Sequence, residues 1–135
     1  GLLTRESFWR DLSKAVAEAS DRSQALSVAR YCFDGPLDPR VGMDSARLLT
    51  RLIRNIDFAC REDDGSILVA FPQTNLRSAH VVARRIASAL TSTMFKPPRA
   101  QGKVTANVTL ATLKAGDTRD TLMQRVSGSR MVAAE

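Results

Sequence analysis

The sequence predicts an α/β (α+β) domain in which helices flank a mixed central β-sheet. Three observations lead to this prediction: helical and strand-like segments alternate along the chain, an Asp-Gly turn joins two short central strands, and 135 residues are enough to bury one core. Hydrophobic residues make up 44% and charged residues 25% of the chain, as is typical of a soluble globular fold.

The first half of the chain is predicted to form a helix, a strand and a second helix. Apolar residues at helical spacing indicate a helix from Glu6 to Ser20. A strand follows from Ala25 to Phe33, where Asp-Gly-Pro turn chemistry closes it. We expect Asp44 to cap the second helix, which should end near Arg54.

The second half is predicted to form a hairpin, a long helix, a strand and a final helix. Asp-Gly favours the tight turns that match the twist of hairpin strands, and alternating apolar and polar residues indicate a half-buried strand. In order, the predicted elements are strands over Ile56–Arg61 and Ser66–Phe71, a helix over Leu76–Ser92 capped by Asn75 or Thr74, a loop over Lys96–Gly102, a strand over Val104–Leu110 and a helix that begins at Asp117 or Thr118.

The net charge of +6 is unevenly distributed. Between Gly65 and Gly116 there is no acidic residue, against seven basic ones. Such a field attracts anions such as a phosphate ligand, although a solvated basic face has the same composition. Trp and Tyr occur once each, which weighs against a nucleic-acid partner, and no apolar run approaches the length of a membrane span. We therefore expect no nucleic acid and no direct membrane insertion.

The remaining reactive side chains predict neither a catalytic set nor a metal site. Cys32 and Cys60 lie far apart and form no C-x-x-C pair, so we expect two buried, reduced thiols in a cytosolic domain. His80, the single histidine, is expected to be exposed. The chain has no initiator Met and no leader, so residues 1–135 are interpreted as a single domain of a longer multidomain protein.

The most informative segment precedes and includes the predicted hairpin turn. It begins with Arg54-Asn55-Ile56-Asp57, passes Arg61 and reaches Asp63-Asp64-Gly65-Ser66-Ile67. This segment resembles the signature of the bacterial GGDEF (diguanylate cyclase) domain, in which an RxxD motif stands five residues before a Gly-Gly-Asp/Glu-Glu-Phe hairpin. The RxxD half is intact here, and the hairpin half is rewritten.

The resemblance extends over nearly the whole chain. It implies a nucleotidyl-cyclase-like fold with a ferredoxin-like core, and a cytoplasmic protein of bacterial second-messenger signalling whose parent chain carries any membrane anchor elsewhere. The opening Gly1–Phe8 resembles the family's entry helix, and Phe71-Pro72-Gln73-Thr74 resembles its Leu-Pro-x-Thr turn. Ala83-Arg84-Arg85-Ile86 resembles its Ala-Glu-Arg-Ile segment, and Val104–Val108 also matches.

The resemblance also implies a regulatory ligand. In the family, an inhibitory site binds an intercalated cyclic di-GMP dimer through the RxxD motif and an Arg of the following helix; these roles fall to Arg54, Asp57 and Arg85. For Arg61 we expect a structural or secondary contact role. Arg pairs bidentately with phosphate or with a guanine edge, and Asp accepts from guanine N–H groups. The plain alternative is a surface Arg54–Asp57 ion pair worth about 0.3–0.5 kcal/mol.

Synthesis of the nucleotide, by contrast, is implied to be lost. Cyclase chemistry needs metal ions held by carboxylates. In the family's hairpin, Gly65 and Ser66 stand at the acidic positions and Asp63 and Asp64 at the glycines. At the metal-binding position of the first strand, the match leaves Asp34 and Cys32 as alternatives. The resemblance thus implies an inactive domain without metal or cofactor.

The function expected from the sequence is a cyclic di-GMP receptor that regulates an attached domain, with a homodimer or an in-chain partner domain. Two alternatives stay open. One is a GGDEF-fold dimerisation or protein-interaction module without a ligand, which predicts no nucleotide-dependent change in stability. The other is a GTP-binding regulatory domain built around the altered hairpin.

Overall fold

The computed structural model describes residues 2–35, 38–94 and 104–134. Within these residues, helices and strands alternate in the predicted order. The elements are α1 (Arg5–Arg22), β1 (Leu26–Asp34), α2 (Pro39–Leu52), β2 (Phe58–Arg61), β3 (Ile67–Pro72), α3 (Leu76–Thr93), β4 (Thr105–Thr112) and α4 (Arg119–Ala134). The predicted loop over Lys96–Gly102 lies outside the described residues. None of the described helices is long and apolar enough to cross a bilayer.

The four strands form one sheet in the order β2-β3-β1-β4. All three neighbouring pairs are antiparallel, so the prediction of a mixed sheet needs correction. The physical reason is that each helical crossover skips a strand: β1 and β2 run in the same direction, but β3 lies between them. The parallel contact that the described residues make is an isolated bridge from Leu3 to Cys60. This arrangement is the predicted ferredoxin-like core.

Helices cover both faces of the sheet. Successive side chains of a strand point to opposite faces, and β3 is apolar at every position from 67 to 71, so it contributes to two cores. The core beneath α2 and α3 contains Tyr31, Leu49, Ile67, Phe71, Ile86 and Leu90. The core beneath α1 and α4 contains Phe8, Leu12, Leu26, Leu68, Leu122 and Val126.

Most predicted boundaries differ from the structure by one or two residues, and the start of α2 differs by more. Helix α2 begins at Pro39 rather than after Asp44, because Asp38 caps it by accepting a hydrogen bond from Arg40 N at 2.8 Å. Proline suits the first turn of a helix, where its missing N–H costs nothing. Strand β2 begins at Phe58 rather than at Ile56, since the residues before it form a turn.

The predicted burial of the two cysteines and the predicted exposure of the histidine are confirmed. Cys32 and Cys60 are both buried and free, and His80 is exposed. Cys32 lies on β1 and Cys60 on β2, with β3 between them. Two strand spacings of about 4.8 Å each separate their backbones further than the roughly 7 Å that a disulfide allows.

Candidate functional site

The RxxD segment forms a closed turn between α2 and β2. The backbone N–H of Asp57 donates to the carbonyl of Arg54 at 3.0 Å, and the backbone N–H of Arg54 donates to Asp57 Oδ2 at 2.8 Å. A carboxylate three residues after Arg54 thus satisfies a backbone N–H that lies just beyond the end of α2. The turn fixes the position of both side chains.

Asp57 is a buried carboxylate that binds Arg54. Its side chain is 2% exposed, whereas that of Arg54 is 51% exposed. Arg54 Nη2 donates to Oδ1 at 2.8 Å and Nε donates to Oδ2 at 3.1 Å, which is bidentate geometry. These hydrogen bonds raise the pKa of Arg54 because they stabilise its charged form. The acid of the pair therefore lies inside the protein, unlike that of a surface ion pair.

A second anchor for Arg54 comes from the turn after β3. Its Nη2 also donates to the Pro72 carbonyl at 2.9 Å and to Oγ1 of the buried Thr74 at 2.7 Å. Nε and Nη2 are thus engaged by protein acceptors, while Nη1 makes no hydrogen bond to any residue that the structure describes. The guanidinium is held in one orientation, with the donors of Nη1 left for a ligand.

Arg54, Asp57 and Arg85 line one cavity of about 410 Å³. Arg85 comes from α3, its side chain is exposed, and it makes no hydrogen bond or ion pair within the described part of the chain. The volume lies in the range of small-molecule sites. Two guanidinium groups beside apolar side chains suit a ligand that has both rings and phosphates. The apolar lining consists of Leu52, Phe71, Val82, Ile86 and Ala89.

Arg61 does not join this cavity. It lies at the opposite end of β2 from Asp57, four residues away, which corresponds to about 13 Å along a strand. Its side chain is exposed and lines a different cavity, beside the hairpin. Arg61 therefore lies apart from the RxxD cavity, and its expected structural or secondary contact role stays a prediction.

The hairpin between β2 and β3 is closed by one of its own acids and by β1. Asp64 Oδ1 accepts hydrogen bonds from Ser66 N at 2.9 Å and from Ser66 Oγ at 2.6 Å, and Oδ2 accepts from Arg30 Nη2 at 2.6 Å. Arg30 lies on β1, and its side chain is only 12% exposed. Gly65 has a φ of +87°, a conformation that favours glycine. The charge of Asp64 is thus balanced within the domain.

A cavity of about 430 Å³ lies beside this hairpin. Cys32, on β1, lines the cavity, whereas Asp34 is exposed and accepts a hydrogen bond from Asn107 Nδ2 at 2.5 Å. Of the two alternatives for the first-strand position, the structure thus places Cys32 at the cavity. In the described part of the chain, no three His, Cys, Asp or Glu side chains lie close enough together to hold a metal ion.

Comparison with known proteins identifies the fold. By sequence, neither a family model nor a curated protein matches the chain. By structure, the GGDEF domain of DgcB from Caulobacter crescentus in complex with c-di-GMP matches with a TM-score of 0.84 at 20% identity, over 98% of this chain and 85% of that one. The active GGEEF domain of a diguanylate cyclase from Vibrio cholerae matches with a TM-score of 0.86 at 19% identity, over 99% and 92%. The FimX GGDEF domain from Pseudomonas aeruginosa matches with a TM-score of 0.80 at 18% identity, over 99% and 90%. The chain has the GGDEF-domain fold.

In this GGDEF-fold domain, the rewritten signature occupies the central hairpin. Asp63 and Asp64 are exposed at the turn, while Ser66 and Ile67 are buried at the start of β3. Ser66 has a hydroxyl where the signature has a carboxylate, and that hydroxyl donates to Asp64. The hairpin keeps its shape with different side-chain chemistry.

Three site residues were missed when the sequence was considered alone. Arg30 gave no signal beyond a basic residue within an apolar strand, and its pairing with Asp64 depends on the register of β1 against β3. The sequence indicated Gln73 only as part of a turn, and Thr74 only as part of that turn or as a helix cap. They enter the cavity because β3 ends beside the RxxD turn.

Proposed function

We propose that this GGDEF-fold domain binds cyclic di-GMP in the RxxD cavity and does not synthesise it. The observation that carries the proposal is that Arg54 and Arg85, from separate elements, line one cavity in which Arg85 has no partner within the described residues. An exposed cation beside a held guanidinium is an arrangement that binds phosphate. The DgcB domain of the same fold was crystallised with c-di-GMP, which supports the choice of ligand.

The three residues have different roles in this proposal. Arg85 and Nη1 of Arg54 contact the ligand, because these donors have no acceptor among the residues that the structure describes. Asp57 positions Arg54, since its carboxylate is 2% exposed and already accepts from the Arg54 side chain and backbone. Guanine rings would pack on the accessible part of the apolar lining, which includes Leu52 and Val82.

The hairpin supports the absence of cyclase activity in this proposal. A triphosphate at the hairpin would meet Asp63 and Asp64 where the family has glycines, and like charges repel. At position 66 a magnesium ion would find the hydroxyl of Ser66 rather than a carboxylate. Magnesium prefers charged oxygen ligands, so this position is poorly suited to hold it. The domain would therefore respond to the messenger without making it.

Binding would regulate an attached domain of the same polypeptide or a second copy of this one. A ligand with two phosphates can bridge basic surfaces, and the exposed Arg85 stands at the rim of the site. The setting that we propose is cytoplasmic second-messenger signalling in a bacterium. The V. cholerae domain of the same fold is the active GGEEF domain of a diguanylate cyclase.

The test is calorimetric titration of cyclic di-GMP into the wild type, Arg85→Ala and Arg84→Ala. Arg85 has no hydrogen bond or ion pair to lose within the described residues, so its removal should weaken binding about tenfold or more without unfolding. Arg84 is the matched control: it is the adjacent exposed cation on α3, but it does not line the cavity. We expect its removal to change the affinity less than about twofold.

The possible outcomes separate the proposals. Equal affinities in all three proteins would place the ligand elsewhere. No heat from a folded wild type would contradict the receptor function and favour an interaction module. Arg54→Ala is a second variant, and we expect it to abolish most binding, with its folding checked by circular dichroism because it leaves Asp57 buried and unpaired.

A GTP-binding domain is a second candidate, favoured by one observation. A cavity of about 430 Å³ lies beside the hairpin, and the exposed Arg61 lines it. Thermal-shift assays with GTP and with cyclic di-GMP distinguish the two sites. A GTP-induced stabilisation that Arg61→Ala removes would support the second candidate, whereas one that Arg85→Ala removes would assign both nucleotides to the RxxD cavity.

A further inference from the structure

Gln73 adopts a left-handed backbone conformation in the wall of the RxxD cavity. Its φ is +54°, and among the described residues other than glycine only Ser23 shares a positive φ. Side chains with a Cβ disfavour this region, which glycine adopts freely. Strained residues of this kind persist where the surrounding structure fixes them, and they cluster at ligand sites.

The two residues that flank Gln73 in this turn hold Arg54 in place. Pro72 precedes it and Thr74 follows it, and each provides an acceptor for Arg54 Nη2, at 2.9 and 2.7 Å. The carbonyl of Thr74 also accepts from Ser27 Oγ at 2.7 Å. A glycine would make this reversal with less strain, so the turn by itself does not explain a glutamine.

The side chain of Gln73 has no structural task among the described residues. It is exposed and makes no hydrogen bond to any of them, yet the residue lines the cavity that contains Arg54 and Arg85. Gln73 also borders a gap of about 40 Å³ beside α1, which is too small for a nucleotide. Its exposed carboxamide therefore has no hydrogen-bond partner among the described residues, and it belongs to a residue that lines the larger cavity.

A guanine bound in the cavity needs a hydrogen-bond acceptor other than Asp57. Both carboxylate oxygens of Asp57 already accept from Arg54, at 2.8 Å from Nη2, 2.8 Å from the backbone and 3.1 Å from Nε. The Watson–Crick edge of guanine carries N–H donors at N1 and at the exocyclic amine. Adenine has an acceptor at N1 instead.

We propose that Gln73 is a specificity-determining residue of this cavity, with Oε1 accepting from the N1–H and amine of a guanine whose phosphate is bound by Arg54 and Arg85. The assignment rests on the proposed function and deepens it. It explains why a residue with a side chain occupies a backbone position that suits glycine. It predicts that Gln73 contributes to the preference for guanine over adenine.

The test compares Gln73→Gly, Gln73→Met and Ser23→Gly by titration with cyclic di-GMP and cyclic di-AMP. Gln73→Gly removes the carboxamide and relieves the backbone, while Gln73→Met removes the polar atoms and keeps the backbone cost. Ser23→Gly is the matched control, because it relieves the same conformation at a residue that does not line the cavity. Thermal unfolding checks that all three variants fold, and we expect both glycine variants to be at least as stable as the wild type.

We expect both Gln73 variants to lose about fivefold or more in affinity for cyclic di-GMP and to discriminate less against cyclic di-AMP. Ser23→Gly should bind as the wild type does. Retained affinity and selectivity in either Gln73 variant would overturn the assignment and leave the receptor function standing. Absence of binding in both the wild type and Ser23→Gly would overturn the proposed function, and this assignment with it.

Discussion

Thr74 Oγ1 accepts a hydrogen bond from Arg54 Nη2 at 2.7 Å, although the two residues lie on separate turns. Thr74 is itself buried, and its carbonyl accepts from Ser27 Oγ at 2.7 Å. Ser27 in turn lies 3.0 Å from Thr112 Oγ1 on β4. The hydroxyl that orients the RxxD arginine therefore belongs to a buried residue whose carbonyl is hydrogen-bonded to β1.

Replacing Thr74 should weaken ligand binding through the orientation of Arg54. Thr74→Val keeps the shape but removes the hydroxyl, so we expect a loss of about three- to tenfold in affinity for cyclic di-GMP and of about 1 kcal/mol in the free energy of unfolding. Calorimetry and urea unfolding measure the two effects. The separate variant Thr74→Ser keeps the hydroxyl and should retain most of the wild-type affinity.

The matched control for this prediction is Thr112→Val. It removes the contact with Ser27 and leaves Arg54 untouched, so stability should fall by a similar amount with little change in affinity. If both valine variants bind equally well, the hydroxyl of Thr74 does not orient the arginine.

Arg54 and Asp57 should be energetically coupled more strongly than a surface pair. A double-mutant cycle with Arg54→Ala and Asp57→Ala, measured by urea unfolding, is expected to give a coupling of about 1–2 kcal/mol, because the acid is buried and bidentate. Arg47 and Asp44 provide the control, since they have the same spacing but are more exposed and 4.0 Å apart. Their coupling should stay below about 0.5 kcal/mol. Equal coupling energies would show that the Arg54–Asp57 pair is no stronger than a surface ion pair.

Local patterns were sufficient to predict the order of the elements, whereas the expectation that Arg54, Asp57 and Arg85 share a site came from the resemblance to the GGDEF family. The RxxD turn is a short-range feature, and the helix after a hairpin has few ways to return over the sheet. The sequence could not predict the salt bridge from Arg30 to Asp64, which depends on strand register. Contacts between turns far apart in sequence, such as Arg54 with Thr74, require the assembled sheet.

The strand directions were mispredicted for a related reason. Helical crossovers indicate strands that run in the same direction, but not whether those strands are neighbours. The insertion of β3 between β1 and β2 made the sheet antiparallel. The missed start of α2 was instead a local error, because the cap at Asp38 precedes a proline and was overlooked in favour of Asp44.

Asp117 should make the stability of the domain depend on acid pH. Its carboxylate accepts from Arg125 Nη1 at 2.6 Å and from Nη2 at 2.7 Å, and this contact holds its pKa well below the usual range. Because the folded pKa is lower than the unfolded one, the stabilisation is present above about pH 4 and is lost as the pH falls through the folded pKa. The dependence should therefore appear between about pH 4 and pH 2.

The variant that tests this dependence is Asp117→Asn. At pH 7 we expect it to lose about 1–2 kcal/mol in the free energy of unfolding, and the difference from the wild type should shrink as the pH falls towards 2. Asp120→Asn is the control, because Asp120 is exposed, and its effect should stay below about 0.5 kcal/mol. A difference for Asp117→Asn that is constant with pH would exclude the titration of this carboxylate as the cause.

Cys60 should resist alkylation in the native domain. Its side chain is fully buried, and burial raises the pKa of the thiol to about 12, with the charge of Glu62 adding to the effect. Only the thiolate reacts, and at pH 8 a thiol of that pKa is ionised to about one part in 10⁴. We therefore expect iodoacetamide to label Cys60 at least about a thousandfold more slowly in buffer than in 6 M urea, as read by mass spectrometry of the peptides. Cys32, which is 7% exposed, should be labelled first. Labelling of Cys60 in buffer at the rate seen in urea would mean that β2 separates from the sheet on the timescale of the reaction.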